Sequence, residues 1–197
     1  MLINCGGGYI KPHPEYTWPD MESSQIVGKL GIHIPEGIIN QQYKSSDISE
    51  CCRHKTIDIG KGIVKISEQA ANSVFNEALI LKARPNDTYI KSLRLRGLLN
   101  YKDADLNVEF LPFVELEYGA EKIYLYNVKL SLNLEITSID FQLSDLRGFT
   151  INVEIESTEA IPRHRVNAAL EKLVDELFEL AADHLAKEIV LLYGARA

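Results

Sequence analysis

Residues 124–137 read YLYNVKLSLNLEIT, and this stretch decides the fold. Tyr124, Tyr126, Val128, Leu130, Leu132, Leu134 and Ile136 fall on one set of alternate positions. Asn127, Lys129, Ser131, Asn133, Glu135 and Thr137 fall on the other. A period of two over this length is the mark of a strand with one face on a core and the other in water. Working outward, Phe149, Ile151, Val153 and Ile155 alternate with Thr150, Asn152, Glu154 and Glu156. On the other side Leu106, Val108, Phe110, Val114 and Leu116 alternate with polar neighbours, and Leu93, Leu95 and Leu99 do so before them. The segments 118–121 and 144–148 between these runs are short, which predicts antiparallel pairing. Pro112 predicts a bulge or an edge position.

Helical periodicity flanks this block. From about Val64 to Leu81, Ala70, Val74, Phe75, Ala78 and Leu81 recur at spacings of three and four, which predicts an amphipathic helix ending before Arg84-Pro85. From Pro162 to about Leu192 a second, longer helix is predicted, with Val166, Leu170, Leu173, Val174, Leu177, Phe178, Ala181, Leu185 and Ile189 on its apolar side. At about 1.5 Å per residue it spans roughly 45 Å, so one end is expected to overhang the sheet. Ile26, Leu30, Ile32 and Ile34 form a further strand, and residues 36–56 show no period. Two amphipathic helices and a sheet with one apolar face predict an α+β two-layer sandwich: an antiparallel sheet of about five strands with both helices on one face. Residues 1–25, with three consecutive glycines and three prolines, read as a flexible N-terminal tether, and residues 26–197 as a single domain.

Composition narrows the function. The chain has 197 residues, 46% hydrophobic and 25% charged, enough to bury a core without metals or disulfides. Twenty-one Lys and Arg against twenty-eight Asp and Glu leave a formal charge of −7 with no basic block, which argues against nucleic acid as a partner. No apolar run reaches the roughly 18 to 20 residues that cross a bilayer.

No catalytic constellation emerges. Gly6-Gly7-Gly8 and Gly60-Lys61-Gly62 lack the spacing of a phosphate loop. Cys51, Cys52 and His54 lack the paired spacing of a zinc site, and as a nucleophile dyad they are too close in sequence, so no metal and no cofactor is expected. His164 and His184 lie about 30 Å apart along one helix and share no ion. His33 is expected on the solvated side of its strand. Glu115/Glu117 and Glu154/Glu156 have the spacing of a solvated sheet face and receive no acid-base role.

Leu2-Ile3-Asn4-Cys5-Gly6 resembles the end of a bacterial lipoprotein signal peptide, in which the cysteine becomes the lipidated N-terminus; Asn4 stands where a small residue is usual. An ordinary loop cysteine in the tail of a cytoplasmic protein is the other reading, and both stay open at this point. The body resembles small bacterial envelope lipoproteins of the YajG type. The resemblance rests on a first strand of the G-x-x-[IV] kind at Gly28-Lys29-Leu30-Gly31-Ile32, a helix with Phe75 near its centre, long antiparallel strands and a C-terminal amphipathic helix. It implies a non-enzymatic, periplasm-facing protein, with Cys5 as lipid attachment site and the membrane reached through that anchor alone.

The expected role is a protein-binding or assembly module, with a protein or a second copy of itself as partner. Tyr9, Tyr16, Trp18, Ile189 and Leu192 are its expected contacts. Two alternatives are a soluble small-ligand-binding domain or small enzyme, with a pocket between the helices and the Tyr124/Tyr126 end of the sheet, and a structural subunit whose Pro-rich arm docks on a neighbour.

Overall fold

The computed structural model describes residues 8–17, 25–44, 55–110, 123–124, 126–140, 143–157, 161–162 and 166–194. The elements run β1 (Tyr9–Ile10), β2 (Ile26–His33), α1 (Glu36–Ile39), β3 (Gln42–Lys44), β4 (Thr56–Asp58), α2 (Ile59–Val74), β5 (Phe75–Leu81) and α3 (Asp87–Leu93). They continue with β6 (Leu95–Phe110), β7 (Ile123–Tyr124), β8 (Tyr126–Asp140), β9 (Leu143–Glu156), β10 (Ile161–Pro162) and α4 (Val166–Gly194).

The alternating stretch is the centre of an antiparallel ladder. β8 pairs with β6 from Phe110↔Tyr126 to Gly97↔Ser138, and with β9 from Asn127↔Glu156 to Asp140↔Leu143. Across this ladder Ala104, Leu106, Val108, Val128, Leu130, Leu132, Leu134, Ile151 and Val153 are buried on one face. α2 and α4 cover that face, which gives an α+β sandwich.

The ladder extends differently from the expected all-antiparallel sheet. The order is β5-β2-β6-β8-β9, and β2 runs parallel to both β5 and β6. A parallel pair needs a crossover, and both are present: α2 carries the chain from β2 to β5, and α3 lies on the way from β5 to β6.

Those crossovers correct several boundaries. α2 begins at Ile59, where the Asp58 side chain accepts the Lys61 N–H as N-cap, and ends at Val74. Phe75, expected near a helix centre, is the first residue of β5, and Ala78 and Leu81 belong to that strand. β5 hid its period because both its faces are partly covered: Ala78 and Ile80 pack on the main core, while Leu81 is buried outside that cluster. Leu93, expected in a strand, ends α3, which Asn86 caps at its start and Arg94 closes at φ 53° in the left-handed region. The two runs beyond it form one strand, with a bulge between Tyr101 and Asp103. Residues 144–148, expected as a connection, are paired strand in β9. Pro162 pairs with Ile123 in a two-residue ladder rather than opening the last helix, in keeping with a residue that has no N–H to donate. Pro112, the 118–121 turn and the Val114/Leu116 positions lie outside the described residues.

The C-terminal end of the last helix does not overhang. Sixteen strand residues in β6 reach about 53 Å, longer than the 29 residues of α4 at about 44 Å. Its last turns are anchored: Ile189 is fully buried, Tyr193 stacks edge-on against Phe75 at 4.9 Å, and its hydroxyl donates to the Arg96 carbonyl at 3.2 Å.

The two helices meet at Gly62 of α2, where a Cβ would come within 2.5 Å of the Phe178 ring of α4. Gly62→Ala is therefore expected to destabilise the protein by about 1–3 kcal/mol through overpacking, although alanine is the better helix former by about 1 kcal/mol. Urea unfolding checks it, and Phe178→Leu in the same chain should restore part of the loss.

Candidate functional site

The N-terminal arm carries the unexpected geometry. Residues 8–17, read from the sequence as part of a flexible tether, are seated on the body. β1 pairs in parallel with β4 (Tyr9↔Thr56, Ile10↔Ile57), the Thr56 N–H donates to the Gly8 carbonyl at 3.0 Å, and Ile10 is 2% exposed. Beyond β1, Pro12 and Pro14 are buried while Lys11, His13 and Glu15 face out. The His13 N–H donates to Asp175 Oδ1 at 2.6 Å, and the Glu15 N–H to Glu179 Oε1 at 2.9 Å. The spacing explains the fit, because two residues of extended chain and four of α-helix both advance about 6 Å. Gln69 Nε2 of α2 donates to the Pro14 carbonyl at 3.0 Å from the other side.

The carboxylates along α4 respond to this seat. Burial pushes the Asp175 carboxyl up, the charges of Glu171 and Glu179 add to it, and the hydrogen bond from the His13 amide opposes it. The Tyr16 hydroxyl, 3.5 Å from Asp183 Oδ1, is pushed well up by burial and by that negative charge. Between Tyr16, Thr17, Gln25 and the α2 residues Lys65, Glu68, Gln69, Asn72 and Ser73 lies an open groove of about 600 Å³.

A second polar cluster sits where β4 enters α2. Asp58, 4% exposed, accepts the Tyr9 hydroxyl at 2.8 Å, the Lys61 N–H at 3.2 Å and the Lys61 ammonium at 2.7 Å. Burial works to raise the Asp58 carboxyl, but the hydrogen bonds from Lys61 and Tyr9 outweigh it and hold the group below the usual carboxylate range. This cluster caps a helix and pins the arm. Deeper in, Ser67 Oγ donates to the Ile63 carbonyl at 2.6 Å and lies 2.6 Å from the Tyr101 hydroxyl, which burial pushes well up. That pair satisfies two buried hydroxyls inside the core.

The expected site residues separate. Tyr9 is half exposed and bound to Asp58, while Tyr16 leans on its own α4. Ile189 has no surface to offer a partner, because the long sheet runs under the helix end; Leu192 is partly buried against the same core. Cys5, Trp18, Cys51, Cys52, His54, His164 and Glu115/Glu117 lie outside the described residues, as do the side chains of Tyr124 and Tyr126. His33 Nδ1 lies 2.6 Å from Asn100 Oδ1, and His184 is exposed. Glu154 pairs with Lys129 at 3.1 Å on the open sheet face. There a shallow hollow of about 430 Å³ is lined by Asp105, Asn107, Ser131 and Asn152 beside that pair. Among the described residues no group of three or more His, Cys, Asp or Glu is placed to hold a metal, and no helix is long and apolar enough to cross a membrane. The arm's seat was the feature sequence reasoning missed; its signal was the alternation of Pro12 and Pro14 with His13 and Glu15.

The fold thus defines an α+β sandwich with a mixed five-stranded sheet and a seated N-terminal arm. No protein-family model and no curated protein matches the chain. Solved structures do. The chain is similar to a Helicobacter pylori protein described as a neuraminyllactose-binding hemagglutinin homolog, at 12% identity over 91% of each chain and a TM-score of 0.51. It is also matched to a Xanthomonas campestris protein of the DUF330 family, at 12% identity over 97% of this chain and 100% of that one, with a TM-score of 0.46. A third match is rare lipoprotein B from Shewanella oneidensis, at 11% identity over 85% and 97% and a TM-score of 0.44. The Helicobacter likeness is one of fold.

Asp58 sets a pH dependence. Its folded-state value is lowered, so its contribution to stability is complete above the ordinary carboxylate value of about 3.9 and is lost as pH falls through the lowered one. Asp58→Asn keeps a capping side chain and removes the charge. Chemical denaturation should find it about 1–2 kcal/mol less stable than wild type at neutral pH, with the gap narrowing below about pH 4.

Proposed function

We propose that the chain is a non-catalytic bacterial envelope lipoprotein, attached to lipid through Cys5, whose α+β domain serves as a protein-binding or assembly module facing the periplasm. The observation that carries this reading is the seated arm. Gly8 is hydrogen-bonded to β4, and Cys5 stands three residues before it, at most about 11 Å of chain from the packed body. An acyl group on Cys5 holds the domain against a membrane surface rather than at the end of a long tether. Several acyl chains on one cysteine supply the lasting attachment that a single chain does not.

Other support comes from the sequence around Cys5. The arm's contacts with its own α4 favour this reading over one in which the arm docks on a neighbouring subunit.

Mass spectrometry of the protein recovered from native membranes tests the anchor. Acylated Cys5 is the expected result, with Cys5→Ser releasing the domain to the soluble fraction once high salt screens any charge-driven contact. An unmodified Cys5 in the wild-type protein, or a variant that stays membrane-bound at high salt, refutes the reading.

A further inference from the structure

The small sheet β1-β4-β3 has two unlike faces. Its register places Ile10, Ile57 and Tyr43 on the side that packs against the core. Tyr9, Gln42, Lys44, Thr56 and Asp58 share the other side, because residues paired across neighbouring strands point the same way. Lys11, one alternation beyond Tyr9, lies with its ammonium 5.8 Å from the Tyr9 ring centre. Lys61 reaches the same place from the first turn of α2 through its contact with Asp58.

The charge here runs against the rest of the molecule. Lys11, Lys44 and Lys61 are exposed, while the carboxylate among them in the described residues, Asp58, is 4% exposed and already bound by Lys61 and Tyr9. Tyr9 is 48% exposed, an amphipathic ring with the Lys11 ammonium 5.8 Å from its centre and Lys61 on the same Asp58, while Lys44 stands across β4 in the same register row. A basic, tyrosine-bearing face on a chain of net charge −7 is complementary to an anionic interface, where lysines meet headgroup phosphates and tyrosine sits at the headgroup level. Position makes a second argument, since Cys5, the proposed anchor, stands four residues before Tyr9, the first residue of the strand that bears this face.

We propose that the outer face of the β1-β4-β3 sheet, through Tyr9, Lys11, Lys44 and Lys61, is a contact surface for an anionic lipid bilayer. It deepens the envelope reading given above by assigning which side of the domain meets the membrane.

The test uses the purified full chain, without acylation, and its Cys5→Ser variant, sedimented with phosphatidylcholine vesicles with and without phosphatidylglycerol. Both proteins should associate with the anionic vesicles alone, and less so as salt is raised. Lys11→Glu/Lys44→Glu should weaken that association roughly tenfold or more, while Lys82→Glu/Lys91→Glu, which changes two exposed lysines elsewhere, should leave most of it. Hydrogen exchange of the wild-type chain should show vesicle-dependent protection at residues 9–11 and 42–44. Equal binding to both vesicle types, or equal loss in the two lysine pairs, overturns the proposal. Its failure is separable from that of the anchor: an acylated Cys5 in native membranes with no lipid preference in this assay leaves the anchor standing and removes this face.

Discussion

Everything in this molecule is arranged around the burial of two helices on one face of a single sheet. α2 and α4 compete for the apolar side of the ladder, and both fit only because α2 offers Gly62 where α4 presents Phe178. Ala181, Ala182 and Ala186, all fully buried, continue the close approach along α4. At the far end Gly97 plays the same part for Tyr193, whose hydroxyl would lie 1.9 Å from a Cβ at that position. Interiors are packed to crystal-like density, so contacts this close leave little freedom in where the helices lie.

From that packing the other features follow. α2 starts where Asp58 caps it, and the same carboxylate holds Tyr9 of the arm, so the entry of the helix and the seat of the N-terminal segment are one structure. The arm then runs along α4, using side-chain carboxylates of a helix as acceptors for the amides of an extended chain. Carboxylates suit this task because a charged acceptor makes a stronger hydrogen bond than a neutral one. The acidic composition of the last helix thus serves a local purpose beyond solubility.

How much of this the amino-acid sequence revealed depends on how each residue is exposed. Strands β6, β8 and β9 have one dry and one wet face, and their period of two was plain from Leu106 to Ile155. α4 was plain from Leu170 to Ile189 for the same reason. β5 was not, because Ala78 and Ile80 pack on one side and Leu81 is buried on the other, and an unbroken Ala-Leu-Ile-Leu run carries no period. Parallel pairing was invisible too, since alternation records which face a side chain takes and nothing about strand direction. The arm was misread because extended proline-rich chain looks alike whether seated or free; only the partners on α2 and α4, more than fifty residues away in sequence, distinguish the two. Cys5, the residue on which the functional reading turns, lies outside the described residues and was legible as a resemblance; what the geometry added is that the chain is seated from Gly8, three residues after it.

If Cys5 is acylated as proposed, the seat of Gly8 on β4 makes orientation a property of the fold, because the edge that bears the arm is the part of the body nearest the anchor along the chain. Everything in that picture depends on the arm being part of the body. Amide hydrogen exchange at His13 and Glu15, followed by NMR in the full-length protein, tests it most directly. Both amides should exchange well below the free-peptide rate and should speed up when Asp175 and Glu179 are changed to alanine; exchange at the free-peptide rate in the wild-type protein would contradict the account.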